Sequence, residues 1–161
     1  MNVVLADAIE MVSSRTDDGR TQIVALRALP WVMCDHVRIR EVLANLLSNA
    51  IKYNDKALKR IEVGYVGVQE VSSRSAFPAE TGGQTVYYVR DNGIGISNRH
   101  FNQIFKLFKR LHDREEFGGG TGAGLTIVRK LVQRHRGQVW LESCAGEGST
   151  FFFTLTAPDE N

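Results

Sequence analysis

Between Asp35 and Asn54 the chain reads Asp-His-Val-Arg-Ile-Arg-Glu-Val-Leu-Ala-Asn-Leu-Leu-Ser-Asn-Ala-Ile-Lys-Tyr-Asn, and no other stretch restricts the fold so tightly. Val42, Leu43, Leu46, Leu47 and Ala50 recur at three-and-four spacing, which predicts a helix N-capped by Asp35 with one buried face. A second stripe, Arg38, Glu41, Asn45, Asn49 and Lys52, puts two amides and an ammonium on successive turns. Asn is a poor helix former because its amide competes for backbone hydrogen bonds, so two on one stripe need a reason. One is a solvated face that happens to be rich in Asn. The other is a polar face that holds a hydrated cation and phosphates, with Asn oxygens as hard ligands and Lys52 as a point charge.

Length and composition narrow the setting. A chain of 161 residues with 43% hydrophobic content suits one domain, 1–161, with a core of its own. The formal charge of +2 is too small to point to nucleic acid. Cys34 and Cys144, far apart and in apolar settings, suggest neither a disulfide framework nor a metal site. With no basic leader and no run approaching a membrane span, a cytoplasmic protein without membrane contact is expected.

Residues Val3 to Ser14 read as a short amphipathic helix with Val4, Leu5, Ala8, Ile9 and Val12 on one side. Asp17 to Gly19 make a turn, Thr21 to Leu29 read as a strand broken by Pro30, and Trp31 to Cys34 as a second short strand. After the Asp35 helix, a strand through Ile61, Val63 and Tyr65 and a return strand Thr85 to Arg90 flank the loop from Gln69 to Gln84. This order predicts a mixed sheet with helices on one face, not a doubly wound parallel sheet.

Asp91-Asn-Gly-Ile-Gly-Ile96 closes the return strand. Asn-Gly is a strong hairpin signal, yet no alternating strand follows. Ser97 instead reads as the N-cap of a short helix with Phe101, Ile104, Phe105, Phe108 and Leu111 on its apolar face. Asp91 and its glycines then suit a ligand-approach loop in which a fixed carboxylate accepts from an exocyclic amine. Further on, five of the seven residues from Gly118 to Gly124 are glycine, and helical periodicity resumes at Leu125 and runs to a Gly137 C-cap. A glycine-rich loop opening a helix is an anion site, because backbone N–H groups and the helix dipole point at the ligand. A Walker loop would need Lys where Leu125 stands, and neither glycine loop has the Rossmann pattern. Two strands, Gln138 to Ser143 and Thr150 to Thr156, end the chain around a turn at Gly146 to Thr150.

Together these stretches resemble the ATP-binding catalytic domain of sensor histidine kinases, within the wider group shared with gyrase B, Hsp90 and MutL. Residues 41–54, with Asn45-Leu-Leu-Ser-Asn49-Ala-Ile-Lys52-Tyr53, are similar to its N box. Residues 91–96, 120–125 and 146–150 resemble its three glycine boxes, and residues 105–111 its F box. Lys52-Tyr-Asn-Asp55 and the run from Arg110 to Gly120 look most like the kinase module of bacterial phytochromes. The resemblance implies an α/β two-layer sandwich, a mixed sheet of about five strands packed on about three helices, with an ATP lid at about residues 97–122. It implies that ATP and Mg2+ bind, with Asn49 on the metal, Asn45 and Lys52 on the phosphates and Tyr53 by the nucleoside. Asp91 would accept from the adenine amino group, with Gly93, Gly95, Ile96, Phe105 and Thr150 lining the site. Gly120, Thr121, Gly122, Ala123, Gly124 and Leu125 would wrap the phosphates, and Arg110 would reach the γ-phosphate.

Two departures carry information. Hydrolytic relatives place a Glu where Asn45 stands, so a water-activating base is missing here and hydrolysis is expected to be poor; Glu41, one turn earlier, is the possible substitute. His36, His100, His112 and His135 all lack the helical context that marks a phosphoacceptor. The implied acceptor is therefore a histidine on a separate dimerisation and phosphotransfer helical domain, with a response regulator receiver domain downstream. The rival readings are an ATP hydrolase on the same fold and a nucleotide-binding pseudokinase module.

Overall fold

The computed structural model describes residues 1–13, 19–71, 77–78, 81, 83–101, 103–105 and 122–156. Helix α1 (Asn2–Ser13) is followed by strand β1 (Thr21–Ala25), helix α2 (His36–Lys52), strand β2 (Lys59–Val66), a short helix α3 (Val68–Val71) and strand β3 (Val86–Asp91). A 3-10 turn (Asn98–His100), helix α4 (Gly124–Arg134) and strands β4 (Val139–Cys144) and β5 (Gly148–Thr154) complete the order. The five strands form one mixed sheet in the order β1-β2-β3-β5-β4. Only β1 and β2 run parallel, and the chain between them passes through α2, the length a parallel pair needs.

The α2 helix starts where expected, with the Asp35 side chain accepting from the Arg38 backbone N–H at 3.1 Å. Its apolar stripe is the centre of the core: Ile39, Val42, Leu43, Leu46 and Leu47 are all within 1% of complete burial. They meet α1 through Val4, Leu5, Ala8 and Val12, and α4 through Val128, Leu131 and Val132. The sheet contributes Ile61, Val63, Tyr87, Val89, Phe151 and Phe153 from its helix-facing side. Truncating such a residue to Ala typically costs about 2–5 kcal/mol. Alternation sends Val66, Val86, Trp140 and Phe152 to the far face, where Phe77 packs over them and Trp140 stacks on Phe152 at 5.5 Å.

Three local expectations are corrected. β1 stops at Ala25 instead of reaching Leu29, because the Asn2 side chain binds both the Leu29 carbonyl (3.1 Å) and its N–H (2.8 Å) in place of a neighbouring strand. Residues 31–34 form no strand, and Trp31 is 92% exposed. At the end of α4 it is Arg136, not Gly137, that takes the left-handed conformation (φ 50°). Gly137 is required for a different reason: a Cβ there would collide with the Thr154 carbonyl oxygen.

Candidate functional site

Asp91 ends β3 on the helix-facing side, in line with Tyr87 and Val89. The backbone N–H groups of Gly93 (2.8 Å) and Ser149 donate to its carboxylate. Burial pushes the carboxyl up to about 6, against the downward pull of those two donors. A half-buried carboxylate held by main-chain donors is poised to accept from a ligand.

The turn after Asp91 is shaped by close backbone approach. A side chain on Gly93 would collide with the Tyr53 carbonyl, whose oxygen also accepts from Ile94 N–H at 3.1 Å, so this turn is tied to the end of α2. Gly95 (φ 67°) lies against the Cys144 carbonyl and Gly148 (φ 108°) against that of Asp91, both in the region that disfavours a Cβ. Gly146 N–H donates to Ile94 O at 2.7 Å. The turns at 91–96 and 146–150 are therefore one packed unit at the ends of β3, β4 and β5.

The second half of the site is the polar stripe of α2. Asn45, Asn49, Lys52 and Tyr53 are all half-buried, as a cleft wall requires. Asn45 Nδ2 donates to the Glu41 carbonyl at 2.9 Å, and Lys52 Nζ lies 5.0 Å from the centre of the Tyr53 ring. Packing of α4 on α2 brings the start of α4 to this stripe: a Cβ on Gly124 would stand 2.9 Å from Asn45 Oδ1. Gly122 is left-handed (φ 68°), Ala123 makes no side-chain cap, and Gly124, the residue against Asn45, opens this 11-residue helix, whose first turn carries backbone donors without intrahelical partners. Leu125 turns inward onto the core, and Phe105 packs edge-on to Phe151 at 6.5 Å while its carbonyl accepts from Thr126 Oγ1 at 3.2 Å.

Asn45, Asn49, Lys52 and Tyr53 thus share a wall with Gly124, and Asp91, Gly93, Gly95 and Ile96 form the adjoining end. Thr150 pairs with Arg90, and strand alternation places it with Phe152 on the far face; the residue beside Asp91 on the near face is Ser149. Arg110, Gly120, Thr121, Phe108, Leu111 and His112, with most of the lid at about 97–122, lie outside the described residues. Within the expected helix after Ser97 only a 3-10 turn is described, and Ser97 makes no side-chain cap. Among the described histidines, His36 binds Asp7 Oδ2 at 2.7 Å, Arg99 donates to His100, and His135 links Leu131 O to the Asp35 N–H.

Sequence reasoning passed over four polar residues that assemble this site. Asn92 accepts from Arg60 N–H (2.8 Å) and from Asn54 Nδ2 (2.9 Å) and donates to Leu58 O (3.1 Å), stapling the turn to β2 and the end of α2. Ser143 and Ser149 join the two glycine turns. The available signal was alternation: with Val139 and Leu141 inward, Ser143 is a hydroxyl on the core side of a strand.

Along almost its whole length the chain is similar to known proteins. Cyanobacterial phytochrome B of Nostoc sp. is 48% identical over 155 residues, a match covering 96% of this chain and 19% of that protein's length. The mycobacterial sensor histidine kinase MprB superposes with a TM-score of 0.74 at 22% identity, covering 99% of this chain and 96% of that one. Full-length ShkA in complex with AMPPNP gives 0.71 at 24% identity, covering 98% of this chain and 30% of that one. Among the described residues no helix is long and apolar enough to cross a membrane. The family described as histidine kinase-, DNA gyrase B- and HSP90-like ATPase matches residues 34–159, the span that carries both halves of the cleft, and the chain belongs to it.

Proposed function

We propose that this chain is the Mg-ATP-binding catalytic part of a two-component sensor histidine kinase, of the kind attached to phytochrome-like light sensors and working in the cytoplasm. In this reading the γ-phosphoryl of ATP passes to a histidine on a separate dimerisation and phosphotransfer helical domain, and from there to a response regulator receiver domain. Neither nucleic acid nor membrane contact has a part in it. The observation that carries the reading is the cleft itself: a half-buried acceptor carboxylate at one end and, at the other, an Asn/Asn/Lys stripe whose Asn45 lies against the start of α4.

The residues present fit a nucleotide. Asp91 accepts from the adenine amino group, with Gly93, Gly95 and Ile96 allowing the base to approach, Tyr53 beside the nucleoside and Phe105 completing the surround, while Thr150, on the far face of the sheet, takes no part. Asn45, Lys52 and the backbone of residues 120–125 hold the phosphates, and Arg110 reaches the γ-phosphoryl. Asn49 would supply an oxygen to Mg2+, a hard cation suited to such a ligand, and a metal held there would supply charge neutralisation for the phosphates. The chain's own contribution is positioning and charge stabilisation. Asn45 has no basic group to activate water, and its amide is already donating to Glu41 O, which supports transfer over hydrolysis.

The test is incubation with radiolabelled ATP. The chain alone is expected to bind ATP and remain unlabelled, and to label a two-helix phosphotransfer domain supplied in trans. Acid-labile phosphate on the isolated chain would overturn the division into donor and acceptor parts.

A further inference from the structure

Asp91, Ser149 and Ser143 stand side by side at the ends of three neighbouring strands. Ser143 pairs with Ser149 in the β4–β5 ladder, and the β3–β5 register, with Arg90 opposite Thr150, brings Asp91 level with Ser149. All three face the helices: Tyr87 and Val89, Phe151 and Phe153, and Val139 and Leu141 place the odd-numbered residues of each strand on the core side.

The hydrogen bonds along this row have a fixed direction. Ser143 Oγ lies 2.8 Å from the Gly148 carbonyl, which can only accept, so the single proton of Ser143 is spent there. Ile96 N–H points at Ser143 Oγ from 2.7 Å and can only donate. Ser149 Oγ is 3.0 Å from Ser143 Oγ, and with the Ser143 proton already committed, Ser149 must be the donor. Ser149 therefore has no proton left for anything else, and its hydroxyl offers lone pairs only. Beside it, Asp91 receives the Ser149 and Gly93 backbone N–H groups and likewise offers oxygens.

We infer that Ser143 is a specificity-determining positioning residue: by consuming the Ser149 proton it keeps the Asp91–Ser149 pair at the base end of the cleft acceptor-only, so that a purine bearing a 6-amino group is admitted and one bearing a 6-carbonyl is refused. Ser143 need not touch the nucleotide. Without it, the Ser149 hydroxyl is free to turn and donate to a carbonyl oxygen, and the refusal weakens. The inference rests on the reading of Asp91 as the group that meets the base.

The experiment measures ATP and GTP dissociation constants of the 161-residue chain by titration. Ser143→Ala is expected to lower the preference for ATP over GTP about tenfold, with part of the change a real gain in GTP binding. Ser143→Thr keeps the hydroxyl and is expected to keep the preference. Because relaxation needs the Ser149 hydroxyl, Ser143→Ala combined with Ser149→Ala is expected to regain most of the lost preference, an outcome that a merely structural role for Ser143 does not produce. Equal weakening of both nucleotides in Ser143→Ala, or no recovery in the double variant, would overturn the inference. Should Ser143→Ala fail to fold, Ser143→Cys, similar in size but a poor partner, is expected to show a smaller loss of preference, and an unchanged preference there counts against the proposal. Asp91→Asn separates the two levels. If Asp91→Asn leaves the preference unchanged, the base lies elsewhere and the underlying reading fails; if Asp91→Asn abolishes it while Ser143→Ala does not alter it, only the role of Ser143 is lost.

Discussion

The two ends of the cleft are built by different means. At the Asp91 end, three strand ends and two glycine turns lock together through main-chain contacts: Gly95 on the Cys144 carbonyl, Gly148 on the Asp91 carbonyl, Gly146 N–H on Ile94 O and Ser143 across both turns. At the Asn49 end, the functional groups are side chains on one helix, and their nearest supports are local: Asn45 on the carbonyl one turn back, and Lys52 over the ring of the next residue. Backbone locked to backbone cannot shift by a few tenths of an ångström without breaking several bonds, whereas a side-chain head can swing. One end is shaped before any ligand arrives, and the other is able to adjust to it.

The sharpest way to break this contrast is to add a methyl group at each end. Gly148→Ala forces a left-handed residue with its Cβ into the Asp91 carbonyl, and a loss of several kcal/mol in unfolding free energy, on the order of 2–4, is expected from denaturant titration. Among the described residues, Gly124→Ala meets only the end of the Asn45 side chain at 2.9 Å, and it sits in a helix that favours Ala. Stability there should change by less than about 1 kcal/mol while phosphate-end affinity falls. Equal destabilisation by the two substitutions would dissolve the distinction.

Next in size, Asn49→Ala should weaken ATP binding in the presence of Mg2+ by about 10–100-fold, with little effect when Mg2+ is chelated. Isothermal titration with and without EDTA reads the difference, and an equal loss in both conditions would make Asn49 a phosphate contact instead of a metal ligand. Asp91→Asn should cost about 1–3 kcal/mol of ATP over GTP discrimination. The same substitution should leave the free chain as stable or more stable above pH 6, since a carboxylate raised by burial is strained when ionised. A thermal melt showing marked destabilisation would mean that the carboxylate is structural.

The smallest effect expected is in pH. Because the Asp91 carboxyl is raised from 3.8 to about 6, the folded state holds its proton more tightly than the unfolded chain. Stability of the free chain should therefore be highest below pH 4 as far as this group is concerned, decline as pH rises from about 4 to about 6, and level off above. Base binding has the opposite sense: the ionised form is the better acceptor, so ATP affinity should be full above pH 6 and fall a fewfold as pH drops through it. Comparing the profile with that of Asp91→Asn removes the titration of the nucleotide's own phosphates. Superimposable profiles would place the pH dependence elsewhere.

Much of this molecule was legible in the chain of residues. The stripe on α2 announced both a buried face and a polar one, because helical periodicity sets which side chains share a face whatever the partner turns out to be. The order of helices and strands followed from alternation and punctuation, and the glycines at 93, 95 and 124 stand where backbone or a side chain comes close. Where the sequence misled, a distant group had intervened: β1 ends early because Asn2 satisfies Leu29, and Gly137 serves a neighbouring strand instead of capping its own helix. Tertiary structure alone decided that Ser149 and not Thr150 flanks Asp91, that Asn92 and Asn54 bind each other across the end of α2, and that Ser143 couples two turns. Periodicity reports which face a residue occupies within its own element, but a hydrogen bond between residues many positions apart depends on strand register and the meeting of separate elements, and local sequence holds no record of either.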